Sequence, residues 1–199
     1  RYDATGSLLS FGTSDETGSI WGLAWRRKDK KLLASSALKR HSGFGAGKDG
    51  VRGTVDDIRT IYVYDYSTPG TNGEATINTA QAIGGIALSE DENTLYAVNL
   101  SARELVSLNV SNMSSVTLNG TVSIPNPGCA VGDYYAPWAV RVYQGAPYVG
   151  VVCSADVSQN YSNLRAYLLR LNGGTFTTVD LDSTSANTYV SLGYDRTFG

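Results

Sequence analysis

The chain has 199 residues, a formal net charge of −2, only 17% charged residues and 22 glycines. So near-neutral a composition carries no electrostatic footprint for nucleic acid or an anionic membrane surface as a partner. No apolar run approaches the ~20 residues a helix needs to cross a bilayer, so direct membrane insertion by a helix is not expected.

The predicted elements are strands almost throughout. A short strand at 7–12 comes first and reads as a partial blade. A 15-residue pattern then recurs three times without a gap: GLAWRRKDKKLLASS from Gly22, GIALSEDENTLYAVN from Gly85 and WAVRVYQGAPYVGVV from Trp138. Each copy is an apolar strand, a polar turn and a second apolar strand. Strand-built repeats at this spacing predict a β-propeller or a related array. The columns Ala24/Ala87/Val140 and Ala34/Ala97/Gly150 keep side chains small where blades crowd towards an axis. The cationic run Arg26–Lys31, broken by Asp29, reads as a solvated hairpin tip.

A third strand follows each pair, at 61–65, 104–109 and 165–172. A fourth is drawn at 116–123 and 174–181, and 188–194 reads as a further partial blade. The expected fold is therefore an all-β, propeller-type array of four-stranded blades on a single domain over 1–199. Its blades cover about 18–80, 81–123 and 134–182, with partial blades at both ends. Closed rings typically carry about 4–8 blades, and an open array leaves sticky sheet edges. The chain is accordingly expected to be part of a larger propeller. Its partners would be further domains of the same protein or other subunits.

Loop lengths point to one face. The middle blade joins its second and third strands through 100–103, whereas the first uses 37–57 and the third 153–163. With the inter-blade connection 124–136, these long segments should emerge together, where binding residues usually collect. Lys39, Arg40, His41, Phe44, Tyr134 and Tyr135 are the candidate partner or ligand residues there. His41 is suited to acid–base work, and the alternative is a structured glycine loop with Phe44 packed on the blade. Asp49, Asp56 and Asp57 are weak Ca²⁺ candidates, because clustered carboxylates supply oxygen ligands, although the spacing matches no EF-hand; no other cofactor is expected. Trp21 and Trp138 read as wedges between blades, with a carbohydrate platform as the alternative. Five N-x-S/T sequons, at Asn99, Asn109, Asn112, Asn119 and Asn160, are candidate glycosylation sites.

Two stretches carry a family resemblance: IWGLAW…LKRHSGFGAGKDG…IYVYD, and PGCAVGDYYAPWAVRVYQGAPYVGVVCSAD…LRAYLLRLN. They resemble the propeller-like region of large cell-surface proteins, mostly bacterial, that often also carry SdrD B-like modules. SEDENTLYAVN is similar to the YVTN-type propeller repeat. The resemblance covers roughly 18–180; the extension at 48–57 and the number of sequons depart from it. It implies an extracellular, cell-surface protein and supplies no reaction. In that setting Cys129 and Cys153, the two cysteines of the chain, are expected to pair, the alternative being two unrelated buried thiols.

The expected function is a non-enzymatic structural or adhesive module, a building block of a surface layer, filament or appendage. The alternatives are a lactonase-like propeller hydrolase, with carboxylates at the central channel, and a lectin-type propeller that binds glycans. Inner-strand columns of Ala, Val, Leu and Trp favour the non-enzymatic reading.

Overall fold

The computed structural model describes residues 20–36, 51, 60–65, 74–78, 83–181 and 188–192. These residues are organised as three antiparallel sheets, each ordered as the chain runs. The first holds β1 (Ile20–Arg26), β2 (Lys31–Ser36), β3 (Thr60–Asp65) and β4 (Glu74–Asn78). The second holds β5 (Ile83–Leu88), β6 (Thr94–Asn99), β7 (Glu104–Asn109) and β8 (Thr117–Ser123). The third holds β9 (Tyr135–Tyr143), β10 (Ala146–Cys153), β11 (Arg165–Asn172) and β12 (Thr175–Thr178). A last strand, β13 (Tyr189–Ser191), pairs with β11 rather than opening a new sheet, so the segment read as a terminal partial blade widens the third one. The only helical element among the described residues is one 3₁₀ turn, Tyr161–Asn163, and the architecture is the all-β, propeller-like one that the repeats predicted. The candidate residues Lys39, Arg40, His41, Phe44, Asp49, Asp56 and Asp57 lie outside the described residues, as does the 7–12 strand.

Local chemistry closes the hairpins. Gln144 and Gly145 both have positive φ (48° and 74°), as do Gly173 and Gly174 (56° and 83°). Two adjacent left-handed residues match the right-handed twist of the strands that they join. In the SEDEN turn, Asp91 Oδ1 accepts from the Ser89 hydroxyl and the Asn93 amide, and Oδ2 accepts from the Asn93 side chain. The Ser89 hydrogen bond first, then those from Asn93, hold the Asp91 carboxyl at about 2.

Packing lies between the sheets. Ala24 and Leu33 of the first sheet meet Ile83, Ile86, Leu95, Ala97, Val106 and Leu108 of the second. On the opposite side, Val98, Leu105 and Ile124 meet Val149, Val151 and Leu169 of the third. β6 is thus buried on both faces, which is why TLYAVN reads as an apolar run instead of an alternation. Arg26 corrects the reading of a solvated tip: it is 1% exposed, and its Nη2 donates to Ser111 O (3.0 Å) while Nη1 sits 3.3 Å from Asp29.

Cys129 and Cys153 form a disulfide, with Cα atoms 5.4 Å apart and a sequence separation of 24. Asn126 positions the first partner, its Oδ1 accepting from the Gly128 and Cys129 amides. The bridge packs on Tyr167 and ties the β8–β9 connection to the end of β10. Such a bond forms and persists outside the reducing cytoplasm. Among the described residues no helix is long and apolar enough to cross a membrane.

Candidate functional site

The three sheets meet along their first strands, and glycine is the reason they can. A Cβ on Gly85 would lie 2.9 Å from Val140 N and 3.0 Å from Trp138 O; one on Gly84 would lie 2.7 Å from Trp138 O. Gly22 faces the same limit, 2.8 Å from Ile86 N. Backbone therefore touches backbone near the axis. Ser35, wholly buried, clips two sheets together: its hydroxyl accepts from Gly22 N (3.0 Å) and donates to Gly84 O (2.7 Å).

Each of these inner strands also carries a register shift. In β1 it falls between Ile20 and Gly22, in β5 between Ile83 and Ile86, and in β9 opposite Gly150/Val151. The bulged residues are Trp21 and Trp138, and a bulge re-aims the side chain it carries. The two indoles meet edge-on, with centroids 5.0 Å apart and planes at 90°. One comes from the first sheet and the other from the third. The registers Ala24↔Leu33 and Val140↔Val149 keep the linear alignment, so the two tryptophans are near-equivalent, with the bulge displaced by one residue.

Towards the other end of the inner strands lies a cleft of about 440 Å³. Its walls include Leu23 and Ala24 of β1, Ile86 and Ala87 of β5, and Val140 of β9. Its charged groups are Arg27, Glu90, Glu92 and Arg141. These were missed in the strand columns because three of them sit in hairpin turns, which the columns leave out. Glu90 Oε1 accepts from Gly145 N of the third sheet's hairpin (3.2 Å). Glu92 reaches the other way: Oε1 accepts from Arg27 Nε (2.9 Å) and Arg27 N (3.1 Å), and Oε2 from Lys28 N (3.0 Å). The acidic turn thereby joins all three hairpins.

Burial pushes the Glu92 carboxyl up, but hydrogen bonds from the Arg27 side chain and the Lys28 and Arg27 amides, with the Arg27 charge, outweigh it and hold the group below its usual 4.5. A carboxyl depressed by folding stabilises the native state above its unfolded pKa, and that contribution is lost as the pH falls through the folded value. Glu92→Gln is therefore expected to flatten the loss of stability below about pH 4.5, read from melting temperatures across an acid series. An unchanged acid limb would show that the clasp contributes nothing.

The remaining candidates scatter. Arg103 lies over both Tyr134 (4.5 Å to the centroid) and Tyr135 (4.3 Å), so the tyrosine pair forms a clasp between the second and third sheets, and Tyr135 already belongs to β9. Asp133 and Asp156 brace the 154–160 loop against the same connection. Asp133 Oδ1 accepts from Val157 N (2.9 Å) and Ser158 N (2.7 Å), and Asp156 Oδ1 accepts from Tyr134 N (2.9 Å). Hydrogen bonds, foremost from the Ser158 and Ser154 hydroxyls respectively, hold both carboxyls below their usual range.

Of the sequons, Asn112, Asn119 and Asn160 are exposed and Asn109 is half-buried. Asn99 is corrected as a glycosylation candidate. It is 7% exposed, and its Oδ1 caps the Ser101 and Ala102 amides, so a glycan has no room there.

No family model matches the chain. Colossin-C of Dictyostelium discoideum is 28% identical over 195 residues, covering 91% of this chain and 19% of that protein. Colossin-A of the same organism is 24% identical over 160 residues, covering 69% of this chain and 1% of that protein. The chain therefore spans less than a fifth of the curated relatives that it matches. Among solved structures, the periplasmic gluconolactonase PpgL of Pseudomonas aeruginosa superposes with a TM-score of 0.55 at 10% identity, over 89% of this chain and 47% of that one. That likeness is one of fold. It overturns the expectation of a non-enzymatic chain, because the shared fold is an enzyme's and gives no ground for excluding catalysis.

Proposed function

We propose that the chain supplies about half the ring of a propeller hydrolase of the lactonase type, which acts outside the cytoplasm and opens a sugar lactone. The observation that carries this reading is the charged cleft on the inner strands, in a fold shared with a gluconolactonase over 47% of that enzyme. The disulfide supports the compartment.

In this reading Glu90 takes a proton from water, and the hydroxide adds to the lactone carbonyl. Arg141 stabilises the oxyanion that develops in this addition; as it collapses the ring C–O bond breaks, and Glu90 returns its proton to the departing ring oxygen to give the hydroxy acid and restore the carboxylate. The apolar wall of Leu23, Ile86 and Val140 keeps bulk water from that charge. Glu92 is engaged by Arg27 and Lys28, and among the described residues no three His, Cys, Asp or Glu side chains converge. These residues do not fit a metal ion, and no step is routed through one.

The test is hydrolysis of gluconolactone by the intact protein, followed as acid release at constant pH. Turnover above spontaneous opening is expected, with Glu90→Gln lowering kcat/KM by about 100-fold or more. A folded, disulfide-bonded protein that never exceeds the uncatalysed rate would end the proposal.

A further inference from the structure

We propose that Asn160 carries an N-linked glycan whose first sugar seats in the cleft beside Tyr161. Three observations converge on this site. The cleft, about 250 Å³, is lined by Ser154, Asp156, Gln159, Asn160, Tyr161 and Leu164. The Tyr161 side of it is open, that residue being 52% exposed, and Asn160 is exposed as well. The acceptor geometry is formed: Asn160 Oδ1 accepts from Ser162 N (3.0 Å) and from the Ser162 hydroxyl (2.9 Å). Both bonds use the oxygen, which leaves Nδ2 for the sugar.

The loop does not have to unfold to present this group. Asp133 and Asp156 pin it from behind through the Val157, Ser158 and Tyr134 amides. Asn99, in the same sequence pattern, fails on burial. The disulfide puts maturation in an oxidising compartment, where such transfer takes place in eukaryotic cells. The step is a substitution at the anomeric carbon of a lipid-linked oligosaccharide. A bond forms from Asn160 Nδ2 to C1 while the C1–O bond to the lipid pyrophosphate breaks. The pyrophosphate leaves with its electron pair, and the amide proton goes to a base of the transferase. The polar rim then meets the sugar hydroxyls beside the exposed side of Tyr161.

The experiment uses the whole protein secreted from a eukaryotic host, Dictyostelium discoideum. Enzymatic glycan release in ¹⁸O-water followed by peptide mass spectrometry should convert Asn160 to labelled aspartate in most molecules and leave Asn99 unlabelled in all. Ser162→Ala should abolish the label and Ser162→Thr should keep it. Tyr161 should be nitrated severalfold more slowly before glycan removal than after. An unmodified Asn160 peptide from the secreted, disulfide-bonded protein overturns the proposal. Equal nitration rates overturn the seating in the cleft. None of these readouts depends on lactone hydrolysis.

Discussion

Gly85→Ala is expected to destabilise the protein by about 1–3 kcal/mol, the range for forcing extra atoms into a packed interior. The new methyl would sit 2.9 Å from Val140 N, 3.0 Å from Trp138 O and 3.1 Å from Ala139 Cα. All three are backbone atoms, so no side chain can rotate away. Relief requires that β5 and β9 separate, and that would also loosen the cluster formed by Val98, Leu105, Val149 and Leu169. Gly120→Ala is the control: nothing lies within 4 Å of its added Cβ on β8, and its effect should stay within about 0.5 kcal/mol. Denaturant midpoints of the two variants, measured side by side, decide the matter. Equal midpoints would mean that the inner strands are not in backbone contact.

Loss of the disulfide should cost about 3 kcal/mol in the chain-entropy account, since the bridge closes a loop between residues 24 apart in sequence. The effect is to be read from Cys129→Ser/Cys153→Ser against the oxidised parent. Reduction of the parent should reproduce it. The destabilisation should fall on the third sheet, because Tyr167 packs on the bridge and its hydroxyl donates to Gly128 O (3.3 Å). Hydrogen exchange should therefore quicken first in β10 and β11. Exchange that quickens only in the first sheet would contradict the bridge's position in the fold.

Much of this architecture is legible in one dimension because strand pairing is local. Polar turns such as Gln144–Gly145 join neighbours that pair antiparallel, so each repeat carries its own hairpin. The site was less legible. Three of its four charges come from turns rather than strands, and Glu90 and Glu92 of one acidic turn point to two different neighbours. Alternation along β1 and β9 also breaks at Trp21 and Trp138, and a bulge leaves no mark in a hydrophobicity pattern.

The sequence by itself determined the three repeated hairpins, the third strand that follows each and the small residues near the axis. These depend on near neighbours, on turn chemistry and on composition. The tertiary structure alone decided that Arg26 is buried, that Asn99 is closed to modification while Asn160 opens on a cleft, and that Arg27, Glu90 and Arg141 share one cavity. Each of these depends on how one sheet is rotated against the next. That rotation follows from backbone contacts at Gly22, Gly84 and Gly85 between residues distant in the chain, which no local pattern encodes.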